Sequence, residues 1–108
     1  MIKGIGTDIV EIERLRDKRS LWKRFLSKDD WKYIERFRDP NERVAGFWAA
    51  KEALVKATDD KSIEFSDVTI AHTENGKPYF ENIEIDGKLF LSISHEKRFA
   101  TAVVIWEE

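Results

Sequence analysis

The chain contains no cysteine, which excludes disulfide scaffolds, thiolate-bound zinc and cysteine nucleophiles. Proline occurs twice and glycine five times in 108 residues, and no repeat, linker or low-complexity stretch interrupts the chain. No apolar run approaches the roughly 20 residues of a membrane-spanning helix. The opening Met1-Ile2-Lys3-Gly4-Ile5-Gly6 lacks the apolar segment of a signal peptide. These absences point to a soluble cytoplasmic protein with no membrane partner.

What is present suits one compact domain spanning residues 1–108. The chain is 42% hydrophobic and 37% charged, with four Trp and seven Phe. A chain this short buries a modest fraction of its surface, so some of these large apolar side chains suit a subunit interface as well as a core. The net charge of −2 hides an asymmetry: residues 14–38 carry ten Lys/Arg against four acids, and residues 57–108 carry five against eleven. A basic segment on an otherwise acidic chain fits either a solvated helical face or a docking surface for an acidic partner.

Residues 2–10 read as a strand in which Ile5 and Ile9 face one way and Gly4, Gly6, Asp8 and Val10 the other. Glycines on one strand face mark close approach by a ligand or another element. From Glu11 to Arg38 the pattern is helical but broken, with a fresh N-cap at Ser27. Residues 41–57 form the strongest helical pattern, rich in Ala and long side chains. Short β-type runs follow: 68–72, then the Asn75-Gly76-Lys77-Pro78 turn, then 89–94 and 99–106 joined as a hairpin at His95-Glu96-Lys97-Arg98. Strand, helices and a run of strands make an α+β fold with a mostly antiparallel sheet.

Glu52 shares a helix face with Trp48 and Val55, where a carboxylate is costly unless paired or metal-bound. Two readings are open: an i,i+4 pair with Lys56, or a metal ligand. Asp8 has the same ambiguity between a helix cap and a ligand. Together the two suggest a hard-cation site, since Mg²⁺ is held by one or two carboxylates with waters and substrate phosphates. Lys51, Lys56, Lys77 and His95 are candidate phosphate-binding groups around it. Ser92-Ile93-Ser94-His95 does not make a serine hydrolase, because no nucleophile elbow is present and alternation puts Ser94 and His95 on opposite faces. His72 alternates with Val68 and Ile70, as a packed structural histidine does.

Four segments resemble the holo-acyl-carrier-protein synthase family of 4′-phosphopantetheinyl transferases. They are Gly4-Ile5-Gly6-Thr7-Asp8 running to Arg14, Trp48-Ala49-Ala50-Lys51-Glu52-Ala53-Leu54-Val55-Lys56-Ala57, Asn75-Gly76-Lys77-Pro78, and Leu91-Ser92-Ile93-Ser94-His95 with the small-residue strand after it. The resemblance implies Mg²⁺ held by Asp8 and Glu52, with both in catalytic roles. It implies coenzyme A contacts at Lys56 and His95, with Lys51 beside them, and an acyl carrier protein contact at Arg14. It also implies a homotrimer with active sites between subunits. The expected reaction moves the phosphopantetheine arm of coenzyme A to a carrier serine and releases 3′,5′-ADP; Glu52 and a water are alternative proton acceptors. Two departures stand out: Phe47 where many members have Arg, and Thr58-Asp59-Asp60 where the family usually continues K-A-x-G. Competing readings are a non-catalytic carrier-docking module and a nucleic-acid-binding domain. Overall acidity and the lack of a nucleic-acid motif weigh against the latter.

Overall fold

The computed structural model describes residues 1–108. Strand β1 (Ile2–Glu11) leads through a 3₁₀ turn at Ile12–Arg14 to two short helices, α1 (Arg19–Trp22) and α2 (Lys28–Ile34). The long helix α3 (Asn41–Thr58) follows, then β2 (Thr69–His72), β3 (Pro78–Glu81), β4 (Lys88–His95) and β5 (Phe99–Glu107). Strands β1, β5 and β4 form an antiparallel sheet in that order, and β2 and β3 form a separate antiparallel hairpin. The α+β expectation holds, with the strands divided between two sheets.

The register sorts the residues of the large sheet by face. Ile5, Ile105 and Phe90 lie in one row across β1, β5 and β4 on the outer face. Ile5, Ile9, Phe90 and Val103 are large apolar side chains left exposed there. On the inner face, Val10, Leu91, Ala100, Ala102 and Val104 are buried against α3, which contributes Val44, Ala50, Ala53 and Leu54. Small residues make this contact possible. A Cβ added at Gly4 would lie 1.8 Å from the Ala57 carbonyl oxygen, and one at Gly6 would lie 2.0 Å from that of Ala53. The bare face of β1 thus receives the backbone of α3, not a ligand. At the other end of the helix, a Cβ on Gly46 would meet Ile93 of β4 at 2.9 Å. Helix α3 therefore crosses the sheet diagonally, its first half over β4 and its last turns over β1.

The ends of the helices follow local chemistry. Ser27 caps α2 through a reciprocal capping box with Asp30, which satisfies two of the helix's orphan N–H donors. Helix α3 stops at Asp59, whose φ of 53° and ψ of 32° are left-handed, a conformation that Asp tolerates and Gly adopts most readily. Gly76 takes φ +85° in the turn between β2 and β3.

Candidate active site

Asp8 and Glu52 meet where the last turns of α3 cross β1. Asp8 points inward from β1, opposite Ala102 in the register, and Glu52 comes from the facing helix. Burial raises the Glu52 carboxyl above the usual carboxylate range; the Asp8 charge raises it further and Lys56 partly offsets both. Lys56 does not pair with Glu52, the i,i+4 alternative. Its ammonium reaches across to Asp8 Oδ1 at 3.1 Å and donates to the Thr7 carbonyl at 2.9 Å. Nor does Asp8 cap the following turn, whose N-cap position has no side-chain hydrogen bond.

Two carboxylates that repel each other beside one lysine favour a cation between them. No third His, Cys, Asp or Glu completes a protein cage. That donor set suits Mg²⁺, which takes few carboxylates and fills its remaining positions with water and phosphate oxygens.

Lys51 belongs elsewhere, which corrects its expected place among the coenzyme A contacts. Its side chain is fully buried and pairs with Asp30 Oδ2 at 2.5 Å. It also donates to the carbonyls of Phe25, Phe65 and Val68 at 2.6–2.8 Å. Asp30 accepts from the Ile70 and Ser27 N–H groups as well. Lys51 is thus a buried tie between α3, α2 and the chain entering β2, with no surface for a substrate. Residues 51 and 52 are adjacent, so helix geometry turns their side chains about 100° apart; one enters the core and the other the site.

His95 sits on the same inner face as Asp8 but at the far edge of the sheet, in the row Val10–Ala100–His95. There it lines a cavity of about 190 Å³ with Tyr33, Arg43, Phe47, His72 and Ile93. His72 lies flat on Tyr33, with ring centroids 4.2 Å apart and 9° between planes, and Phe47 stacks beside both. Burial and the Arg36 charge lower the His72 pKa, as fits a packed neutral imidazole. His95 Nδ1 lies 3.8 Å from a Glu42 oxygen. The sequence reading did not single out Arg43 or Tyr33 as wall residues. The available signal was that Arg43 precedes Phe47 by four residues on one helix face. Arg14 is exposed at the end of the 3₁₀ turn after β1.

Residues 4–104 match the family model described as the 4′-phosphopantetheinyl transferase superfamily. The chain is 40% identical to the holo-[acyl-carrier-protein] synthase of Halothermothrix orenii, across all of this chain and 99% of that one. The chain belongs to this superfamily, among the holo-[acyl-carrier-protein] synthases. Solved structures agree. The holo-(acyl-carrier-protein) synthase of Bacillus anthracis, in complex with CoA (3′,5′-ADP), superposes with a TM-score of 0.89 at 34% identity, covering 98% of this chain and 96% of that one. The Helicobacter pylori synthase, in complex with coenzyme A, gives 0.83 at 33% identity over 95% and 99% of the two chains.

Both departures from the synthase pattern now have a structural setting. Asp59 occupies the left-handed position that ends α3, where the family's usual K-A-x-G supplies glycine. Thr58 turns back to hydrogen-bond the Leu54 carbonyl at 2.9 Å, and Asp60 accepts from the Ser62 N–H and hydroxyl. The two acids of this segment are thus occupied as local helix-stop and turn chemistry. Phe47 is buried in the aromatic wall of the cavity.

Proposed function

We propose that this synthase transfers the 4′-phosphopantetheine arm of coenzyme A to a serine of an apo-acyl carrier protein, with Mg²⁺, and releases 3′,5′-ADP. The observation that carries the reading is the convergence of Asp8, Glu52 and Lys56 from two elements far apart in sequence. Asp8 and Glu52 would hold the Mg²⁺, which when bound offsets phosphate charge and aligns the pyrophosphate. Lys56, which contacts Asp8 in the metal-free chain, would be free to hold a phosphate oxygen and orient the phosphate for attack. The carrier serine oxygen forms the new bond to phosphorus as the bond to 3′,5′-ADP breaks. Glu52 or a water beside it accepts the serine proton. His95 contacts the nucleotide. Arg14, heading the basic segment, meets the acidic carrier protein.

A homotrimer completes the site. Arg43 and Glu52 are nine residues apart on α3, which separates them by about 13 Å along the axis and half a turn around it. The two clusters sit over opposite edges of the sheet, so one chain does not close both around one nucleotide. The exposed outer face of the sheet, with Ile5, Phe90 and Val103, supplies an apolar surface that a second copy would cover. Two assays test these points. The reaction requires 3′,5′-ADP to appear mole for mole with coenzyme A loss, and only with apo-carrier and Mg²⁺ present. Release without carrier points instead to a hydrolase. For the shared site, Glu52→Ala and His95→Ala chains, each inactive, should regain activity when co-refolded; failure of a soluble mixed oligomer to do so refutes it.

A further inference from the structure

Arg43 is the strongest positive group on the wall of the His95 cavity, and nothing in the fold neutralises it. Its guanidinium lies over the Phe37 ring, 3.7 Å from the centroid. None of the chain's salt bridges includes it. A guanidinium stacked by one face on an aromatic ring is fixed in direction while its in-plane N–H groups remain free to donate. Such a fork matches a phosphate. Glu42 places a carboxylate beside His95 at this end of the cavity. An anion entering there meets that carboxylate as well as the Arg43 charge, so a firm contact to Arg43 is needed to hold it.

Position 47, one turn further along the same face, carries Phe where many relatives carry Arg. Here Phe47 builds the aromatic wall with Tyr33 and His72, and the guanidinium stands one turn earlier. The transferase reading, on which this inference rests, assigns the pyrophosphate to the Asp8–Glu52–Lys56 end. The phosphate of coenzyme A left for the opposite cluster is the one on the ribose 3′ position. We propose that Arg43 binds the 3′-phosphate of coenzyme A, replacing in this chain the arginine absent at position 47, and so makes the enzyme prefer coenzyme A over its dephospho form.

The test is calorimetric binding of coenzyme A and of dephospho-coenzyme A to the full chain and its variants. Arg43→Met should weaken coenzyme A binding by about tenfold or more, the usual scale for a lost charged hydrogen bond. Dephospho-coenzyme A, lacking the group Arg43 reads, should lose less than about threefold. Arg43→Lys should keep part of the affinity. The exchange Arg43→Phe with Phe47→Arg should restore most of it. Phe47 is buried, so the urea midpoint of that double variant is measured alongside; the Met and Lys variants test the idea with Phe47 in place. Unchanged coenzyme A affinity in Arg43→Met overturns the proposal, as do equal losses for the two ligands. If the wild-type chain binds no coenzyme A with or without Mg²⁺, the transferase reading fails first and this inference with it.

Discussion

Replacing Lys51 by Met separates a structural role from a substrate-binding one. Met keeps the length and bulk of the side chain but removes every donor. Three carbonyl oxygens, those of Phe25, Phe65 and Val68, lose the ammonium. Asp30 keeps its two backbone donors from Ser27 and Ile70 but loses its counter-charge in a fully buried setting. Breaking one partner of a buried pair costs about 3–5 kcal/mol. A domain of this size has about 5–15 kcal/mol in total, so about a fifth or more of the stability goes. At about 4–8 °C per kcal/mol for a domain near this length, the midpoint should fall by more than about 12 °C. Urea denaturation with Lys61→Met, an exposed lysine, as a surface control measures it directly. Adding Asp30→Asn to Lys51→Met should recover part of the loss, since the unpaired buried charge is gone. A destabilisation below about 1 kcal/mol refutes the buried-pair reasoning. Where the variant remains folded, at low temperature, its affinity for coenzyme A should stay within about threefold of wild type. A much larger loss would return Lys51 to the substrate site.

Gly6→Ala places a Cβ against the Ala53 carbonyl and should destabilise by at least about 1–3 kcal/mol, because backbone meets backbone and neither yields cheaply; a neutral urea midpoint would contradict the close packing of α3 on β1. Glu52→Gln should raise the thermal midpoint of the metal-free protein at neutral pH. The folded pKa of Glu52 is raised, so its ionised form opposes folding above the unfolded carboxylate range and the cost vanishes at lower pH. The same variant should lose both activity and any stabilisation by added Mg²⁺. Replacing His72 by Phe should flatten the acid side of the stability profile. The folded His72 pKa is lowered, so stability is intact above the unfolded histidine pKa and falls as pH drops below it; an unchanged pH profile in the variant would refute that assignment.

Much of the fold was legible from periodicity. The alternation of β1 separated Ile5 and Ile9 from Gly6 and Val10 correctly, since the period of two is fixed by the pleat. The Ala-rich run marked α3, and Gly76 and Ser27 marked a turn and a cap through local chemistry. What periodicity does not encode is which distant surfaces meet. Gly4 and Gly6 marked a close approach, but only the fold shows that the approaching group is the α3 backbone. Lys51 is a sharper case: a lysine beside a functional carboxylate looks like a phosphate ligand until Asp30, 21 residues earlier, appears against it in the core. The cluster around His95 was legible only at that histidine and at Phe47. Tyr33, Arg43 and His72 come from three separate elements, and no spacing rule joins them.

The most direct test of phosphopantetheine transfer is the intact mass of an apo-acyl carrier protein after incubation with this chain, coenzyme A and Mg²⁺. The expected result is a gain of one phosphopantetheinyl group on one serine, lost when Mg²⁺ is chelated and absent with Asp8→Ala or Glu52→Ala. A carrier of unchanged mass under every divalent metal would contradict the transferase reading, and wild-type gain with both variants would contradict the site assigned to it.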